Sequence, residues 1–197
     1  MENKWSLFKL RVNIRQPLDK VYAAWATPAG LESWFLRRAL MGVGGIPGSG
    51  DPATAEARLL AERWTGGGPK PAGPGPAGIH RLAEEFIQAG DNYAWYWHGY
   101  PDTAFGKGTI IAANGADHFA FTFSLGCPVS IGLYRELDET IVELVESELP
   151  TDEEAKLRHY VGDLKGWTFY LTNLKSVLEG GLDLRNRRAE LTNVITA

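Results

Sequence analysis

Leu164, Trp167, Leu171, Leu174 and Leu178 recur at spacings of three and four in a stretch of helical pattern near the end of the chain. An indole and four leucines therefore fall on one stripe of one helix. Such a stripe needs a broad apolar surface to lie on. The middle of the chain supplies it, because Tyr93, Trp95 and Trp97, and again Phe119, Phe121 and Phe123, alternate with other residues as the faces of strands do. A long helix laid across a curved antiparallel sheet is the architecture these two features demand. It is expected to leave a pocket between the layers, and the function is expected in that pocket.

The remaining elements read in order. Phe8, Leu10, Val12 and Ile14 alternate with Lys9, Arg11, Asn13 and Arg15, the pattern of a half-buried strand. Pro17 suits the first turn of a helix carrying Val21, Tyr22, Trp25 and Ala26. Pro28 breaks it, and Thr27 caps a second short helix with Leu31, Trp34 and Phe35. Gly106 to Ala112 and Phe119 to Leu125 flank Asn114-Gly115, a pair that favours the two positive-φ positions of a tight hairpin turn. Val129, Ile131 and Leu133 form the next strand, residues 136–139 turn the chain, and Val142 and Leu144 continue the pattern. Thr151 and Glu154 have capping-box spacing ahead of the final helix, which runs from Asp152 to about Gly180 with a bend expected near Gly162 or Gly166. Strands clustered between helices give an α+β layered fold.

Between 42 and 78 the composition changes. Eleven of the 23 glycines and six of the 11 prolines lie there, so most of the stretch is unsuited to a regular core. Asp51, Pro52, Ala53, Ala57, Leu60 and Trp64 spell one short helix inside it, either a solvated spacer or a lid over the pocket mouth. The expectation is one domain over 1–197 with a Gly/Pro-rich insertion at 42–78. A net charge of −4 and no basic stripe argue against nucleic acid, and Arg185, Arg187 and Arg188 read as a solvated helix end. Cys127 is the single cysteine, and neither a signal-like leader nor a membrane-length apolar run appears, so a cytoplasmic setting without membrane insertion is expected.

The chemistry-bearing residues point the same way. His80, His98, His118 and His159 show no zinc-ligand spacing, so neither a metal nor another cofactor is expected. By strict alternation His98 opposes the Trp95/Trp97 face, unless a bulge or the turn at Gly99 reverses it, and both His98 and His159 read as hydrogen-bonding rather than catalytic. Glu143 and Glu146 differ in parity, so one of them can face inward, where a buried carboxylate is a candidate acid or base. Cys127 has no base in its sequence context and reads as inert. Seven tryptophans, seven tyrosines and eight phenylalanines are many for 197 residues. Individually each reads first as core; together they can wall a ligand cavity.

Three stretches carry a resemblance. Val21 to Phe35 (VYAAWATPAGLESWF), Gly90-Asp91 leading into Trp95 to Pro101 (WYWHGYP), and the tail from Gly166 through Leu174 to Asp183-Leu184-Arg185 resemble the activator-of-Hsp90-ATPase-homologue-1-like family. That family belongs to the START/Bet v 1-like (SRPBCC) superfamily, whose helix-grip fold wraps a curved antiparallel sheet around a long C-terminal helix. The resemblance leaves out the 42–78 stretch, where relatives cross by a shorter strand-containing segment. It implies binding of a small hydrophobic molecule between sheet and helix, by a carrier, a sensor or a sequestering protein. Trp34, Trp95, Trp97, Phe121, Phe123, Trp167 and Leu171 are the expected wall, and His98, Tyr170 and Asn173 the expected polar groups. Two alternatives stay open. One is an enzyme of the cyclase, hydratase or hydrolase-like kind using acid/base groups in the same cavity. The other is an Hsp90-type co-chaperone or interaction module, for which the chain matches only the C-terminal, helix-grip part. A homodimer and chaperone contact are both compatible with the resemblance.

Overall fold

A computed structural model describes residues 4–43, 79–188, 190, 191, 194 and 195. Strand β1 (Phe8–Ile14) is followed by helices α1 (Leu18–Ala26) and α2 (Pro28–Trp34). Next come β2 (Arg38–Val43), β3 (Ile79–His80), β4 (Asn92–Tyr96), β5 (Gly106–Ala113), β6 (His118–Thr122), β7 (Pro128–Glu136) and β8 (Glu139–Glu146). A turn of α-helix (Glu153–Ala155) and a π-helical turn (Lys156–Tyr160) then lead into the long helix α3 (Val161–Leu178).

All strand pairs are antiparallel, and the sheet order is β1-β8-β7-β6-β5-β4-β2-β3. The chain therefore starts at one edge of the sheet, crosses its full width through α1 and α2, and meanders back. Residues 44–78 join β2 to β3, which pair directly through Gly42 with His80 and Val43 with Ile79. The expected helix at Asp51–Trp64 lies outside the described residues. The expected strand pattern stopped short of β2, because its apolar residues run straight into the glycine-rich stretch.

One face of the sheet carries Phe8 and Ile14 from β1, Ile131 from β7, Phe119 and Phe121 from β6, Tyr93 and Trp95 from β4 and Met41 from β2, all buried. Helix α3 covers this face with Trp167, Tyr170, Leu171, Asn173 and Leu174. The stripe read from spacing is thus the buried one, with Leu164 and Leu178 half-buried at its ends. Helix α1 packs on β6 and β7, and α2 on β2 and α3.

Local chemistry sets the element ends. The Thr27 hydroxyl accepts from Gly30 N at 3.0 Å, as the cap position requires. The last helical run is capped by Asp152, whose carboxylate accepts from Ala155 N at 2.9 Å, one residue beyond the expected Thr151. Its irregularity is the π-helical turn, which precedes both glycines expected to bend it. Asn114-Gly115 does not make a two-residue turn. Four residues join β5 to β6, and the Asn114 side chain accepts from the backbone of Ala116, Asp117 and His118, each at 3.0 Å. That side-chain cap takes over the turn, so only Gly115 needs a positive φ, of 77°.

Candidate functional site

The space between α3 and the sheet is occupied by aromatic rings. Trp167 on α3 lies 5.1 Å from Phe123, 6.1 Å from Phe121 and 5.3 Å from Phe35, centroid to centroid. Phe35 meets Trp95 at 5.4 Å, Tyr170 at 4.6 Å and Trp97 at 6.0 Å. Trp34 stacks on Phe35 at 5.2 Å and meets Tyr170 edge-on at 6.5 Å. These are contact distances for aromatic pairs. The expected open gap is therefore closed at its centre: Trp34, Trp95, Phe121, Trp167 and Leu171 are all buried and packed together. Each buried ring contributes roughly 1.5–3 kcal/mol to folding, which favours filling the layer over leaving it empty.

The margin differs from the centre. Trp97 and Phe123 are half-buried and pack on the core from its edge. The Trp97 ring lies on Gly106 of β5, where an added Cβ would come within 2.6 Å of the indole. Tyr93 lies likewise on Gly108, at 2.7 Å. Strand β5 thus presents bare backbone beneath two rings, the close approach that only glycine permits.

The polar groups of the layer are committed in different ways. Glu146 at the end of β8 is fully buried, level with Phe8 and Val129 on its neighbouring strands, and accepts from Trp167 Nε1 at 2.9 Å. It is the inward member of the pair distinguished by parity. Glu143, at the surface, pairs with Lys9 at 2.9 Å. Asn173, a candidate orienting group, donates to Trp34 O at 2.6 Å and accepts from Leu184 N at 2.7 Å, so its amide joins α3, α2 and the C-terminal tail. Tyr170 is buried and His98 half-buried. Strand β4 ends at Tyr96 and Gly99 turns with a φ of 81°, so alternation no longer decides where His98 faces. His159 is buried, with Nδ1 3.2 Å from Ser124 Oγ.

Sequence reasoning missed Arg185. It is not part of a solvated helix end; it is buried and donates to Glu32 O, Ser33 O and Leu36 O at 2.8–2.9 Å. The guanidinium thereby satisfies carbonyls at the C-terminus of α2, where a cation is also favoured by the helix dipole. Asp183 pairs with it at 2.8 Å. Burial pushes the Asp183 carboxyl up, but hydrogen bonds from Arg185 and Arg187 outweigh that and hold it well below the usual range.

A separate open cleft of about 680 Å³ is lined by Arg15, Gln16, Pro17, Leu18, Arg135, Asp138 and Glu139. Its charges balance, and Arg15 is engaged by Glu179 at 3.1 Å. Among the described residues no group of three or more His, Cys, Asp or Glu side chains is placed to hold a metal ion. No helix of the described residues is long and apolar enough to cross a membrane.

No family model matches the chain. No curated protein matches it either. Solved structures do. SSP2350 of Staphylococcus saprophyticus is 17% identical, with 91% of this chain and 96% of that one covered and a TM-score of 0.59. The Aha1 protein of Colwellia psychrerythraea, solved as a dimer, is 15% identical over 89% and 97%, with a TM-score of 0.53. DynU16, from the dynemicin biosynthetic locus, is 17% identical over 92% of this chain and 50% of its own, with a TM-score of 0.56. At such identities the likeness is one of fold. Sheet order, the helix laid on the aromatic face and these neighbours agree: the chain has the helix-grip fold, an antiparallel sheet packed on a long C-terminal helix.

Proposed function

We propose that this domain binds a small, largely apolar molecule between the sheet and α3, in a recess that opens when Trp97 swings away from β5. The observation that carries this reading is the seat of Trp97: a half-buried indole at the margin, resting on the side-chain-free backbone of Gly106. Displacing that ring uncovers bare backbone beside Phe35, whose centroid lies 6.0 Å from that of Trp97 and which in turn packs on Trp167. Apolar walls with few polar groups suit a small hydrophobic guest. A closed resting state means that binding carries the cost of opening, which lowers apparent affinity by the fraction of molecules open.

Titration with the neutral fluorophore N-phenyl-1-naphthylamine tests this. Saturable binding with a blue-shifted emission is expected. Trp97→Ala should tighten it about three- to tenfold, because the recess is then already open. Tyr134→Ala, on the outer face, should leave it unchanged. No saturable binding, or equal affinities for wild type and Trp97→Ala, would overturn the reading.

The enzyme alternative has one observation in its favour, the buried carboxylate of Glu146. A carboxylate held among apolar residues is the kind of group acid/base chemistry uses. Its surroundings, Trp167, Phe8 and Val129, shield it from solvent, so the binding reading is the better supported.

A further inference from the structure

The margin that Trp97 occupies borders a second cluster, built where the end of α2 meets the C-terminal tail. Arg37 donates through its backbone to Tyr96 O at 2.8 Å and through Nε to Trp97 O at 3.3 Å, and its guanidinium pairs with Asp102. Arg38 reaches the same carboxylate at 3.7 Å and lies over the Tyr96 ring at 4.0 Å. From the tail, Arg185 and Arg187 share Asp183. Around His98 the guanidiniums of Arg37, Arg185 and Arg187 outnumber the carboxylate of Asp183, a local positive surplus on a chain whose net charge is −4.

Two polar side chains at this cluster make no hydrogen bond to the described residues. One is the Tyr170 hydroxyl, on a residue only 6% exposed, stacked edge-on against Phe35 and within charge range of Tyr100 and Arg185. The other is the half-buried imidazole of His98, next in sequence to Trp97. Burial and the charges of Arg185, Arg187 and Arg37, against the weaker pull of Asp183, hold His98 below its ordinary pKa. The Tyr170 hydroxyl is not sealed off with the buried unpartnered atoms, so it is free to donate to an acceptor that arrives at this margin.

We propose that this cluster receives the anionic head of an amphipathic ligand, a carboxylate whose apolar tail enters the recess behind Trp97. Tyr170 and His98 donate to its oxygens, and Arg37 and Arg187 supply the compensating charge. The inference rests on the recess reading above and adds the chemical class of the guest. Arg37 and Arg187 are cations and Tyr170 and His98 can both donate, so a neutral head would leave the surplus charge unanswered. Binding an anion beside His98 draws a proton onto the ring, so affinity rises as pH falls from 8 to 6, a range in which the ligand carboxylate stays ionised.

Calorimetric titration with octanoate, 1-octanol and inorganic phosphate, at pH 6 and pH 8, tests it, with histidine NMR following His98. Octanoate should bind about tenfold tighter than 1-octanol, and tighter at pH 6 than at pH 8. Its binding should raise the His98 titration midpoint. Tyr170→Phe combined with His98→Gln should erase the preference for the acid while leaving 1-octanol binding intact, which also shows that the variant is folded. Equal binding of acid and alcohol sinks the head-group inference and leaves the recess standing. Binding of neither sinks both. Phosphate binding as tight as octanoate means an anion site unconnected with the recess, which also overturns the proposal.

Discussion

Single residues in this chain hold positions that their own chemistry would not choose. Leu137 sits at the tip of the β7–β8 connection with a φ of 54° and is 94% exposed. A left-handed backbone costs a residue with a Cβ roughly 1–2 kcal/mol, and an exposed leucine returns nothing through burial. Leu137→Gly should therefore stabilise the protein by up to about 1 kcal/mol, seen as a rise of about 2–4 °C in Tm. An unchanged or lower Tm in thermal unfolding would show that the turn carries no strain. Arg185 is the opposite case: its carbonyl partners lie 149 to 153 residues away in sequence, so nothing near it in the chain announces that it is buried. Parity showed that one glutamate of the β8 pair can face inward, because that question is local to one strand; that it is Glu146 comes from the structure. Its partner, Trp167, belongs to another layer and could be known only from the fold.

At the scale of elements, helix and sheet are joined by the Trp167–Glu146 hydrogen bond within a largely apolar layer. Removing the donor should cost more than its area suggests. Trp167→Phe is expected to lose about 1–3 kcal/mol beyond the change in ring volume, whereas Glu146→Gln keeps an acceptor for the indole and should lose less. Chemical denaturation of both single variants and the double variant measures the coupling; strict additivity would show that the bond contributes nothing. Elements whose signals are local were legible in the sequence: β1 from strict alternation, the α1–α2 break from Pro28 and Thr27, and the buried stripe of α3 from its spacing. Signals that depend on competition between neighbours were not. Asn114 caps four residues instead of two because its side chain outbids the backbone for three N–H groups, and Asp152 displaces Thr151 as the helix cap. The candidate site was legible as a set of rings, since inward parity follows from alternation. That the rings meet instead of standing apart depends on Phe35 and on the bare backbone of β5, which no periodicity shows.

The whole molecule depends on acid groups that fasten its C-terminal region. Glu179 accepts from Arg15 N at 2.9 Å and from Lys175 at 3.0 Å, bonds that bring its pKa down to about 2, and Asp183 is depressed by its arginines. Carboxylates depressed on folding stabilise the protein above the ordinary carboxylate range, and that contribution is lost as pH falls through their folded values. His98, also depressed, acts in the same direction at higher pH: the unfolded chain takes its proton first, so stability begins to fall below about 6.5. Thermal unfolding between pH 8 and pH 2 should show a shallow loss below 6.5 and a steeper one below about 4. Glu179→Gln with Asp183→Asn should flatten the steep limb alone, and an unaltered acid limb would refute the assignment.

The pairing of Gly42 with His80 and Val43 with Ile79 has a last consequence. Whatever lies between those two strands departs and returns through adjacent rungs at the far border of the ladder. Its two anchor points are therefore fixed neighbours, whatever the length of chain strung between them. A connection of another length can join the same two rungs without altering a single register elsewhere, which makes this border a place where inserted sequence leaves the rest of the sheet as it is.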